Sequence, residues 1–111
     1  MVLACLGGCK SPDLTPIEEV VGQPYDLAII KLVEDITIVT QDASPRVNEM
    51  PAFDGSQLGS PDWIVVAVCS DVSFLEEARS IQFAVVPSRS YTREVQVAVE
   101  RGDFEDSVIC N

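Results

Sequence analysis

The sequence predicts an α+β domain, with one helix packed on a small sheet of three to four strands. Three observations carry this expectation. A turn at Gly22 leads from an extended segment into an amphipathic run that ends near Glu34. A wholly β-branched stretch, Ile36-Thr37-Ile38-Val39-Thr40, follows it. Two further apolar runs, Trp63–Cys69 and Ile81–Val86, have strand length.

The helix comes first along the chain. Gly22 permits a positive-φ turn. Pro24 suits the first helical position, where its missing N–H is no loss. Asp26 falls in the first turn, against the positive end of the helix dipole. Tyr25, Ala28, Ile29 and Leu32 recur at i, i+3, i+4 and i+7 and form one apolar face. The spacing predicts a helix from Pro24 to Glu34. Small Ala28 lets it lie close to a sheet.

A strand is expected at 36–41, from its β-branched composition. Residues 42–62 hold Pro45, Pro51, Gly55, Gly59 and Pro61 and read as a long loop. Trp63–Cys69 is nearly all apolar, which suits a strand buried on both faces or a central one. Ser73 with Glu76 three residues on has the form of a capping box for one helical turn to Ala78. Ile81–Val86 is the last strand, stopped by Pro87. In the tail, Val95, Val97 and Val99 alternate as a strand does. Thr92 as N-cap, Glu94 in a first turn and Gly102 after Arg101 favour a helix at 92–101 instead.

The motif Val20-Val21-Gly22, five residues, Ala28, three residues, Leu32 resembles the opening of the PASTA domain, a small extracytoplasmic module of bacterial cell-wall kinases and penicillin-binding proteins. The likeness continues through Asp42-Ala43-Ser44 with Arg46, through Asp62-Trp63-Ile64-Val65, similar to an Asn-Trp-x-Val strand of actinobacterial forms, and through the closing strand at Arg79–Val86. It covers about residues 16–86. The usual Gln-x-Pro-x-x-Gly after the Trp strand is absent; Cys69-Ser70-Asp71-Val72 stands there. Residues 87–111 form an extension outside the pattern, and the resemblance implies that the 42–62 loop is an enlarged hairpin connection between the two middle strands.

The N-terminus supports the same extracytoplasmic placement. Leu6-Gly7-Gly8-Cys9 resembles a lipobox, in which Cys9 is acylated; Val2-Leu3-Ala4-Cys5 is a weaker version. A full signal needs a basic region and a 7–15-residue apolar stretch ahead of the cleavage site. Only eight residues precede Cys9, so further signal upstream is expected. The competing readings are a cytosolic N-terminus with two thiols, and a Cys-x3-Cys metal site that lacks any His partner. The expected organisation is a signal remnant at 1–9, a tether at 10–15, the PASTA-like domain at 16–86 and the extension at 87–111. In an oxidising compartment, Cys69 and Cys110 can pair. Closing a loop of that length stabilises by about 4 kcal/mol in the chain-entropy account, less any strain.

Seven Lys and Arg stand against eighteen Asp and Glu, a net charge of −11. That charge repels nucleic acid and anionic lipid headgroups, and nucleic acid is excluded as a partner. The acidity is read as a solvated surface. At 47% hydrophobic the chain can build a core, and no apolar run reaches the ~18 residues of a membrane span.

Catalytic constellations are missing. With no His, the commonest general base is absent. No Gly-rich phosphate loop precedes a Lys-Ser/Thr. The acidic run Asp103, Glu105, Asp106 lacks calcium-loop spacing. No enzyme activity, cofactor or metal is expected. Trp63 is read as core in preference to a stacking platform. Arg46, Arg79 and Arg89 are the scarce cations, either partners for a ligand carboxylate or surface partners for neighbouring acids. The resemblance implies a lipid-anchored or secreted binding module for a cell-wall component. The alternative is a regulatory or structural lipoprotein that binds another envelope protein. An Arg cluster beside a groove favours the first reading, and a flat apolar patch the second.

Overall fold

The computed structural model describes residues 14–50, 52–53 and 62–109. It is an α+β fold with a three-stranded sheet: β1 (Thr37–Asp42), β2 (Trp63–Ser70) and β3 (Ser80–Pro87), in the order β1-β3-β2. β3 is parallel to β1, with Thr37 opposite Ser80 and Asp42 opposite Val85. It is antiparallel to β2, with Ile64 opposite Val86 and Ser70 opposite Ile81.

This order corrects one expectation and resolves another. Residues 43–62 do not connect a hairpin, because β1 and β2 never pair; the chain crosses from one edge of the sheet to the other. The central strand is β3, whereas the Trp63 run is an edge strand, buried on both faces as expected. Alternate residues of β3 fill two cores, and almost all are sealed from water. Ile81, Phe83 and Val85 enter the first core with Tyr25, Trp63 and Leu75. Ala84 and Val86 enter the second with Ala43, Val66, Phe104 and Val108. Pairing with β1 on one side and β2 on the other puts β3 in the middle, and it is buried on both faces, as a strand covered from both sides is. β2 lies at an edge, and Gly22–Pro24 covers part of it: Gly22 N–H donates to Val65 O (2.7 Å), and Val65 N–H donates to Gln23 O (3.0 Å). A bulge between Val65 and Ala67 shifts the register. It sends the consecutive Val66 and Ala67 both to the second core, as an extra residue in one strand does.

Gly22 has the positive φ expected, +86°. The helix after it, α1, is short: Tyr25–Ile29, with Pro24 as its N-cap. The expected helix to Glu34 is not formed. Lys31 and Leu32 bond three residues back, to Ala28 and Ile29, so the last turn tightens and the chain leaves for β1. The β-branched Ile29, Ile30 and Val33 do little to hold a longer helix. The expected face is nonetheless the buried one: Tyr25 and Ala28 are fully buried, with Ile29 and Leu32 packed beside them. Trp63 is core, as expected. It meets Phe53 edge-on at 5.1 Å, and Tyr25 meets both Phe53 (5.5 Å) and Phe83 (5.3 Å) the same way.

The capping box at Ser73 does not form. A 3-10 turn spans Leu75–Glu77 with Phe74 as an N-cap that makes no side-chain bond. The Glu76 carboxylate instead accepts from Thr15 N–H and Thr15 Oγ1, both at 2.7 Å. In the tail the helix reading holds. α2 spans Arg93–Glu100, Thr92 Oγ1 accepts from Val95 N–H, and Gly102 follows with φ +84°. Val95 and Ala98 pack against the second core and Val99 is buried in it. Among the described residues no helix is long and apolar enough to cross a membrane.

Candidate functional site

β1 and β3 run parallel, so their carboxyl ends lie side by side, and each strand passes into a 3-10 turn there. Beyond β1 the turn is Ser44–Val47; beyond β3 it is Ser88–Ser90. Asp42 fixes the first turn. Its carboxylate accepts N–H bonds from Ser44 (2.9 Å), Ala52 (2.6 Å) and Phe53 (2.8 Å). Burial pushes the Asp42 carboxyl up, but the hydrogen bonds from Ser44, Phe53 and Ala52 outweigh it and hold the carboxyl below its ordinary value. Ala43 N–H extends the ladder to Val85 O (2.8 Å), and Asn48 ends the turn at a left-handed φ of 64°.

These turns bring Arg46 and Arg89 to one groove of about 420 Å³. Its apolar wall is Val47, Val95, Ala98 and Phe104, and the N-terminal end of α2, Thr92 and Glu94, lies along it. Arg46 is a fixed part of the wall. Its Nη1 donates to Asp106 Oδ1 and to Ser107 Oγ (3.2 Å), its Nη2 donates to Asp103 O (2.9 Å), and its Cζ lies 5.1 Å above the Phe104 ring. Arg89 is looser. It is 71% exposed and holds Glu49 Oε1 at 3.1 Å. Ser90, 8% exposed, lines the groove with a buried Oγ that has no hydrogen-bond partner among the described residues. The lining therefore carries two Arg and two Glu, Glu49 and Glu94, a neutral window on a chain of charge −11. Chemically, the groove offers an exposed guanidinium for a carboxylate and an apolar wall for an alkyl side chain.

Arg79 is not part of this site. It is exposed ahead of the opposite end of β3, where its N–H donates to Asp71 Oδ1 (3.2 Å). Ser90, Phe104 and Asp106 were not singled out as site residues from the sequence. The Ser88-Arg89-Ser90 turn directly after a Pro-stopped strand was the available signal for Ser90. Cys5, Cys9 and Cys110 lie outside the described residues. Cys69 stands on β2 with an interaction of its own and is not a free group. Among the described residues no group of three or more His, Cys, Asp or Glu is gathered to hold a metal ion.

The chain matches no protein-family model, no curated protein and no solved structure.

Proposed function

We propose that this is a non-catalytic binding module of PASTA-like type, held at the outer face of a membrane by lipid on Cys9, that recognises a carboxylate-bearing cell-wall component. The observation that carries the reading is the meeting of Arg46 and Arg89 at one groove with an apolar wall. Two of the three arginines expected to matter share that groove, and the chain's seven cations are otherwise outnumbered. The net charge of −11 opposes an acidic ligand at long range, so binding depends on short-range contact with Arg89 and on the neutral lining.

The test is a titration of the labelled protein with a soluble muropeptide, followed by amide chemical shifts. Shifts confined to the groove, and lost in Arg89→Ala, support the proposal. An unchanged spectrum at millimolar muropeptide overturns it.

A second reading has its own observation. Leu27, Ile30 and Val33 are 46%, 74% and 37% exposed around α1. Such an apolar patch fits a regulatory lipoprotein docking on another envelope protein. Capture of an envelope protein that Ile30→Glu abolishes and Arg89→Ala leaves intact favours this reading over the first.

A further inference from the structure

We propose that Cys69 and Cys110 are joined by a disulfide that clasps the segment after α2 onto the open end of β2. Four observations converge on it. Cys69 lies directly opposite Gln82 in the β2–β3 ladder, and opposite residues of an antiparallel pair share a face. That face is the second core, where Cys69 packs and where Phe104 and Val108 are buried. The Gln82 side chain grips Ile109 in both directions: Gln82 Nε2 donates to Ile109 O (2.5 Å), and Ile109 N–H donates to Gln82 Oε1 (3.1 Å). Cys69, Gln82 and Ile109 line one cleft of about 150 Å³. The next residue in the chain is Cys110.

The distances suit the bond. Opposite residues in a ladder stand about 5 Å apart, consecutive Cα atoms are about 3.8 Å apart, and a disulfide spans Cα atoms about 4.4–6.8 Å apart. The Gln82 side chain thus holds Ile109, the residue before Cys110 in the sequence, beside the ladder partner of Cys69.

The chemistry is an exchange with a disulfide oxidant. One thiol loses its proton and attacks the oxidant, forming a mixed disulfide and releasing a thiolate. The second Cys thiolate attacks that mixed disulfide, the Cys69–Cys110 bond forms, and the oxidant's second thiolate leaves; the two thiolates take up the protons that the two cysteines lost. The protein loses two hydrogens and the oxidant gains them.

The clasp also holds a wall of the groove. The segment it pins carries Phe104 and Asp106, both in contact with Arg46. Reduction leaves the Gln82 side chain as the holder of that segment at Ile109, whatever the groove binds.

Tryptic mapping reads the linkage directly, because cleavage after Lys10, Arg46, Arg79 and Arg101 separates the cysteines into peptides 1–10, 47–79 and 102–111. The full chain is equilibrated in a glutathione redox buffer, blocked with iodoacetamide and checked as a monomer on a non-reducing gel. A linked 47–79/102–111 species, lost on reduction, is the expected result. Free thiols at 69 and 110, or a link from 47–79 to 1–10, overturn the proposal. As a second measurement, the Tm of the parent is expected to fall in reductant to that of Cys110→Ser, with faster amide exchange over 104–108. A parent Tm indifferent to reductant overturns it equally.

Discussion

Replacing Arg46 by Ala removes a clasp between two segments about sixty residues apart, and its cost follows from what the guanidinium touches. The ion pair with Asp106 is exposed, at 41% and 77%, and contributes at most about 1 kcal/mol. The Phe104 ring beneath it adds about 0.5–1 kcal/mol at such a site. The bonds to Asp103 O and Ser107 Oγ add a further about 0.5–1 kcal/mol net, because water competes for both acceptors. These terms share one side chain and are not additive, so we expect about 1.5–2.5 kcal/mol in urea unfolding monitored by circular dichroism. At about 2.1 cal/mol/K per residue this lowers Tm by about 6–11 °C. Arg46→Lys keeps the charge but not the planar fork, and should recover less than half of the loss. Asp106→Asn alone should cost under about 1 kcal/mol. An Arg46→Ala protein within about 0.5 kcal/mol of the parent would show that the clasp is decorative, and the fixed wall of the groove with it.

Phe83→Ala opens a cavity beside Tyr25 at a position sealed from water, with an expected loss of about 3–5 kcal/mol. In a protein whose total stability is about 5–15 kcal/mol, the urea midpoint should fall by about a fifth or more; a loss under about 1.5 kcal/mol refutes the two-core account. Gly22→Ala forces a side chain to φ +86° with the Tyr91 hydroxyl 3.0 Å from the new carbon. The expected cost is about 1–3 kcal/mol, and thermal melting that finds no loss refutes it. Asp42 has a folded-state pKa below its unfolded value. Its stabilisation is therefore present above about pH 3.9 and disappears as pH falls through the lower folded value. The gap in urea midpoint between the parent and Asp42→Asn should narrow between pH 5 and pH 2, and a gap independent of pH contradicts the assignment.

Elements whose signals are local were legible in the sequence. Gly22 turns with positive φ because its neighbours ask for nothing else, and Tyr25, Ala28, Ile29 and Leu32 face inward because helical spacing sets them there. The tail was resolved by its caps. Val95, Val97 and Val99 alternate as in a strand, but Thr92 and Gly102 bracket a helix, which leaves Val99 buried and Val97 37% exposed. What the sequence did not reveal depends on distant partners. Glu76 has a capping box within reach and takes Thr15 instead, sixty-one residues away. The choice of central strand was hidden because Trp63–Cys69 and Ile81–Val86 are both strongly apolar. It is fixed by long-range pairing, with β1 bonded to one side of Ile81–Val86 and β2 to the other. Arg46 and Arg89 meet only through the parallel register of β1 and β3, and no local pattern reports that register.

The placement of β3 has a consequence for how this protein is made. β3 lies between β1 and β2, yet it follows both along the chain. As the polypeptide leaves the ribosome, β1 and then β2 emerge with no strand to pair with, and their apolar faces wait in solvent. Translation at about 5–20 residues per second sets the length of that wait. Assembly of the sheet is therefore one late event. A nascent chain halted before Ser80 contains two of the three strands and no sheet.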